Sequence, residues 1–143
     1  MLGKNKIKIE VSKEGFIGDV RKVKVPKAYD YPEFSVLTYT LENILAEKMR
    51  SILERKRIRD YYDVWRLLKV GDVDVERTKE LFIKKCETKG ITFRDVEQFF
   101  PKDIIKTLEA FLRIGLTRLS SEPTPSLKQM IDEMRINLTA MFA

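Results

Sequence analysis

One lysine and two aspartates, Lys48, Asp60 and Asp63, occupy positions where helical periodicity asks for apolar side chains or helix ends. They lie in Leu41 to Leu68, LENILAEKMRSILERKRIRDYYDVWRLL, which reads as two consecutive amphipathic helices joined by a basic turn. In the first helix Leu41, Ile44, Leu45, Ile52 and Leu53 recur at helical spacing, and Lys48 sits in the middle of the row running from Ile44 to Ile52. In the second, Asp60 precedes Val64 by one turn and Leu68 by two, which puts a carboxylate on the apolar side near the helix start. A lysine at a cleft can bind a triphosphate and stabilise charge on a transferring phosphoryl group. It can equally pack its stem on apolar neighbours and send its ammonium to water. Asp60 can cap its helix, with Asp63 at N3 favouring the dipole. Alternatively, the surrounding Arg55, Lys56, Arg57 and Arg59 depress the carboxylate pKa and hold a phosphate or RNA, unless they form a plain solvated turn. Glu10, on an upstream strand, either faces solvent or contributes one carboxylate to a magnesium site for in-line phosphoryl transfer.

The composition narrows the chemistry further. The chain of 143 residues contains no histidine and one cysteine, Cys86. Ser-His-Asp triads, histidine-ligated zinc and histidine general bases are therefore excluded. What remains is carboxylate, lysine, arginine, tyrosine or backbone chemistry, and carboxylates without soft ligands suit magnesium. Cys86 cannot form an intramolecular disulfide and reads as a partly buried structural thiol. A net charge of +6 and a pI near 9.4 favour an anionic partner such as a nucleotide or nucleic acid. No apolar run approaches the roughly 20 residues of a membrane span, so no membrane partner is expected. Met1 to Lys8 is basic with no apolar segment behind it, which leaves the cytoplasm as the default location.

The elements that must position these residues follow from local patterns. Ile7, Ile9 and Val11 alternate with polar residues as in a half-buried strand that carries Glu10 on its other face. Val20, Val23 and Val25 predict a second strand stopped by Pro26, with imperfect alternation that allows a bulge, and Ser35 to Tyr39 a third. Thr40 is the expected N-cap of the helix from Leu41. After the central pair of helices, one runs from Asp74 or Val75 to about Lys89, stopped by Gly90. A short helix from Phe93 to Phe99 capped by Thr92, one from Lys102 to about Leu116 opened by Pro101, and one from about Leu127 to Met141 complete the chain. In the last two, Ile104, Ile105, Leu108, Phe111 and Leu112, then Met130, Ile131, Met134 and Leu138, form the apolar stripes. Ser120 to Ser126, SSEPTPS, reads as a linker. The fold class is α+β, a small N-terminal β-sheet of about three strands packed on a mainly helical C-terminal bundle.

The segment YTLENILAEKMRSILERKRIRDYYDVWRLL, with its Glu-Lys pair, basic turn and Arg-Asp-x-Tyr-Asp helix, resembles the AbiEii/AbiGii-type toxins of type IV toxin–antitoxin systems. These are nucleotidyltransferases of the DNA-polymerase-β-like superfamily. The strand IKIEVS and the helix after Pro123 also fit, so the likeness spans most of the chain. The resemblance implies transfer of a nucleotide from an NTP, with magnesium, onto RNA, expected to be tRNA. It makes Lys48 the catalytic lysine, Asp60 the aspartate of the last motif with Asp63 the second candidate, and Glu10 a strand carboxylate of the metal site. It also implies an antitoxin protein as partner. By the same likeness residues 1–40 are the remnant of a nucleotidyltransferase sheet and 41–143 a helical domain, a truncated nucleotidyltransferase fold.

The departure concerns the start of that fold. The family's Gly-Ser turn and Asp-x-Asp pair do not precede Ile7. The expectation is therefore a C-terminal part of such an enzyme, inactive alone, with Met1 an artificial, alternative or truncated start. Whether the chain is itself an enzyme stays open. The competing reading is a non-catalytic helical RNA- or protein-binding module that uses the basic turn, and exposed strand edges leave a homodimer open.

Overall fold

The computed structural model describes residues 8–9, 15, 17–27, 32–115 and 125–143. Glu10, most of the strand expected over Ile7 to Val11, and most of the SSEPTPS segment lie outside the described residues. Two strands, β1 (Val20–Lys24) and β2 (Ser35–Tyr39), pair antiparallel, with Val20 opposite Tyr39 and Lys24 opposite Ser35. Their register is continuous, so the bulge that the imperfect alternation allows does not form, and Val25 N–H donates to Phe34 O at 3.0 Å just beyond it. Within the described residues the sheet therefore has two strands, and the first expected one, Ile7 to Val11, falls mostly outside them. Val23 and Thr38 on one face are half-buried, whereas Val20, Leu37 and Tyr39 on the other are exposed.

The hairpin is fastened to the helices at its base. Thr40 caps α1 (Leu41–Arg55), its hydroxyl accepting from Asn43 N–H at 3.2 Å, as its type and position predict. Gly18 has φ +141 and lies so close to this helix that a Cβ there would meet Asn43 Oδ1 at 2.0 Å, so only glycine fits. Arg77 holds Asp19 through two contacts of 2.7 Å, which ties the strand entrance to a later helix.

Four further helices make the bundle: α2 (Ile58–Val70), α3 (Val75–Thr88), α4 (Ile104–Gly115) and α5 (Leu127–Phe142). Asp74 caps α3 by accepting from Arg77 N–H at 2.9 Å, and Gly90 at φ +65 ends it. The segment expected as a Thr92-capped helix is instead a single 3-10 turn, Val96–Phe99, because Asp95 and Gln98 form a capping box closer in. Residues Leu45, Met49, Ile52, Tyr61, Phe82, Leu108, Met134 and Leu138 are fully buried and form one continuous core across all five helices. Phe82 is its aromatic centre, with ring centroids 4.9 Å from Phe93, 5.8 Å from Phe99 and 5.6 Å from Phe142. Along α4 the buried row is carried by Ile104 and Leu108, while Phe111, expected in the same stripe, is exposed. Cys86 is buried as expected, and burial pushes its thiol up to about 11, so it stays protonated and unreactive near neutrality.

Candidate functional site

The tightest side-chain constellation on α1 and α2 forms because the two helices are joined by only Lys56 and Arg57. Lys56 takes the left-handed conformation at φ 44 that such a short connection requires. Its ammonium donates to the Ile52 and Leu53 carbonyls, both at 3.1 Å, and so satisfies acceptors that the end of α1 leaves open. The ammonium of Lys56, a candidate phosphate ligand, thus rests on the carbonyls that end α1. Burial holds its pKa below the usual lysine value.

Asp60 has a different place from a helix cap. The N-cap of α2 is Arg57, which makes no side-chain cap bond, and the helix begins at Ile58, so Asp60 is already inside the first turn and Asp63 lies beyond N3. The carboxylate of Asp60 turns back to α1 instead. Its Oδ2 accepts from Arg55 Nε at 2.8 Å, and its Oδ1 from Arg55 Nη2 at 3.0 Å and Lys48 Nζ at 3.4 Å. The side chain of Asp60 is only 2 % exposed, and a two-point guanidinium clamp is the geometry that makes such burial tolerable. Lys48 makes its closest contact with Asp63 Oδ2 at 2.6 Å. Lys48 and Asp63 are 30 % and 39 % exposed, so this outer pair faces the opening while Asp60 forms the floor.

The electrostatics follow from that layering. Burial opposes a charge on Lys48, but the Asp63 and Asp60 carboxylates outweigh it and raise its pKa above the usual lysine value. The ammonium is therefore a permanent cation at neutral pH, suited to binding phosphate and unsuited to proton abstraction. Elsewhere carboxylates are held below their ordinary values: Asp19 by hydrogen bonds from Arg77, and Glu47 by Arg50 and Lys85 against its own burial. A carboxylate depressed in the folded state stabilises above its unfolded pKa and loses that contribution as pH falls through the folded value. A raised lysine stabilises below its unfolded pKa and loses the contribution as pH rises through the folded one. The melting temperature is expected to stay level between about pH 5 and 9, fall below about pH 4.5, and fall again above about pH 10.5. Circular dichroism melts across that range check this, and a melting temperature that rises on acidification would contradict it.

The residue types of the constellation were legible in the sequence, although their partners were not. The structure brings Lys48, Asp60, Asp63 and Arg55 together, leaves Arg57 and Arg59 exposed, and does not describe Glu10. The available donors fit magnesium poorly, because Asp60 is enclosed by two cations and Asp63 is paired with one. Among the described residues no three carboxylate, histidine or cysteine side chains converge. No helix among them is long and apolar enough to cross a membrane. Sequence reasoning also missed a second charged group, Glu47, Arg50 and Glu54 on α1 with Lys85 on α3. Its signal was the opposite-charge spacing of three and four residues along α1.

Comparison with known proteins returned one family. The model described as nucleotidyl transferase AbiEii toxin of a type IV toxin–antitoxin system matches residues 2–139. No curated protein and no solved structure matches.

Proposed function

This chain belongs to the AbiEii nucleotidyltransferase toxin family of type IV toxin–antitoxin systems, and from that premise we propose that it supplies the phosphate-positioning part of a nucleotidyl transfer site. The observation that carries the reading is Lys48, a charged and accessible ammonium steered from below by a buried, clamped Asp60. Lys48 is the catalytic residue, neutralising charge on the phosphoryl groups of an NTP. Asp60 and Arg55 are positioning residues, since Asp60 reaches substrate only through Lys48. Asp63 is the resident counter-ion that an incoming phosphate replaces.

The acceptor is RNA, with tRNA favoured, and the exposed Arg57 and Arg59 offer its backbone a contact. In this reading residues 1–40 belong to the nucleotidyltransferase sheet and 41–143 form the helical domain, working in the cytoplasm opposite an antitoxin. Magnesium, which the family's chemistry implies, is held by carboxylates other than Asp60 and Asp63. Because the sequence shows no Gly-Ser turn or Asp-x-Asp pair before Ile7, the 143 residues alone are expected to transfer little or nothing.

Labelling RNA from radioactive NTP tests the proposal. The purified chain is expected to give no product, and addition of a polypeptide carrying a Gly-Ser turn and an Asp-x-Asp pair to give magnesium-dependent product. Lys48→Ala then lowers the rate about a hundredfold, the effect of losing one group that stabilises developing charge. Labelling by the chain alone, abolished by Lys48→Ala, would sink the divided-site reading. Salt-dependent RNA affinity lost in Arg57→Ala and Arg59→Ala, with no transfer under any condition, would favour the binding-module alternative instead.

A further inference from the structure

We propose that the cleft between α1 and α3 is a binding site for a small phosphorylated anion, and that the Glu47 carboxylate occupies the place its phosphate takes. The cleft has a volume of about 410 Å³, and its described lining includes Ile17, Glu47, Arg50, Lys85, Thr88 and Lys89. Arg50, Lys85 and Lys89 bring cations to this lining, and Glu47 brings an acid.

Two of the cations are built into the wall. The side chains of Arg50 and Lys85 are only 9 % and 10 % exposed. A buried cation needs an anion, and here both use the same one: Arg50 Nη2 lies 2.5 Å from Glu47 Oε1, and Lys85 Nζ lies 3.3 Å from Glu47 Oε2. One carboxylate with an oxygen on each cation reproduces the bridging contact that two oxygens of a phosphate would make.

The carboxylate is the movable member of this group. Glu47 is 46 % exposed on the helix surface and can swing into solvent. Arg50 and Lys85 keep other anchors when it does, since Arg50 Nη1 lies 2.5 Å from Glu54 Oε2 and Lys85 Nζ donates to Ile17 O at 2.7 Å. The cations therefore stay aimed into the cleft through the exchange. The volume lies in the range of small-molecule sites. The depth of both cations excludes a nucleic-acid backbone, which needs charges at the surface, and selects a free mono- or diphosphate or a mononucleotide.

The site is independent of Lys48. On a helical projection the row Glu47, Arg50, Glu54 lies about a third of the circumference of α1 away from the row Lys48, Ile52, Arg55. The two flanks face α3 and α2 respectively.

Isothermal titration of the full chain with pyrophosphate, inorganic phosphate and AMP, at constant ionic strength, tests the proposal. The wild-type protein is expected to bind, and Lys85→Gln to weaken binding at least tenfold. Glu47→Gln removes the competing charge and is expected to tighten binding about tenfold. Because Glu47 is half-exposed, this variant folds even where Lys85→Gln does not, and its direction is opposite to that of a purely structural ion pair. Equal affinity for pyrophosphate and AMP supports recognition of the phosphoryl group itself, and tighter AMP binding supports a nucleotide as its source. No heat from wild-type or Glu47→Gln protein at millimolar ligand, weaker binding by Glu47→Gln, or binding lost in Lys48→Ala but kept in Lys85→Gln, would each overturn it.

Discussion

Asp60→Ala is expected to cost about 3 kcal/mol of folding stability and to lower the melting temperature by roughly 10 °C. The carboxylate is the common partner of Arg55 and Lys48 and has only 2 % exposure, so its removal leaves a small polar hole facing two cations. A fully buried pair broken in this way costs about 3–5 kcal/mol. The effect here falls at the lower end because Arg55 and Lys48 are 44 % and 30 % exposed and can turn to water. Asp60→Asn keeps the shape and one set of acceptor lone pairs, and about half the loss is expected. Urea unfolding of the single variants and of the Lys48→Met/Asp60→Asn pair isolates the coupling. If Asp60→Ala unfolds at the same denaturant concentration as wild type, the carboxylate is not the floor of the constellation. The functional reading adds a second outcome: Asp60→Asn lowers transfer through a misplaced Lys48 and leaves the fold largely intact.

Phe82→Ala is expected to destabilise by about 4 kcal/mol. Phe82 is fully buried on α3, and its ring meets Phe93, Phe99 and Phe142, so one side chain joins α3, the 3-10 turn and the C-terminus of α5. The loss combines the transfer free energy of the ring with the cavity left among aromatic neighbours that cannot collapse into it. Phe82→Leu retains most of the volume and should cost about 1–2 kcal/mol. Equilibrium unfolding monitored at Trp65 reads both variants, because Trp65 is buried and its indole N–H donates to Glu133 at 2.7 Å, which makes it a reporter of the α2–α5 contact. A loss under 1.5 kcal/mol for Phe82→Ala would show that the aromatic cluster is not a principal source of stability.

Most of the helices were readable from local pattern. Thr40, Asp74 and Gly90 mark element ends through their own backbone and side-chain chemistry, and each does so in the structure. Residue type alone fell short where a neighbouring group competed for the same side chain. Asp60 satisfies every local criterion for an N-cap, but the cations of the preceding helix draw it back and the helix starts at Ile58. Lys56 reads as part of a basic cluster, but the left-handed turn that it makes brings its ammonium onto carbonyls of its own helix. The α1–α3 cleft was not legible at all, because Lys85 belongs by periodicity to an apolar face and meets Glu47 only through the packing of two helices distant in sequence.

Sequence alone determined the order of the elements, the exclusion of histidine chemistry, and the anomaly of a lysine and an aspartate turned inward. Those properties depend on residue type and on spacing within one or two turns. Tertiary structure decided which charges pair. Arg55 and Lys48 take Asp60, Lys48 also takes Asp63, and Arg50 and Lys85 share Glu47. Coulomb energy and hydrogen-bond geometry depend on distance in space, and only the packing of α1 between α2 and α3 sets those distances.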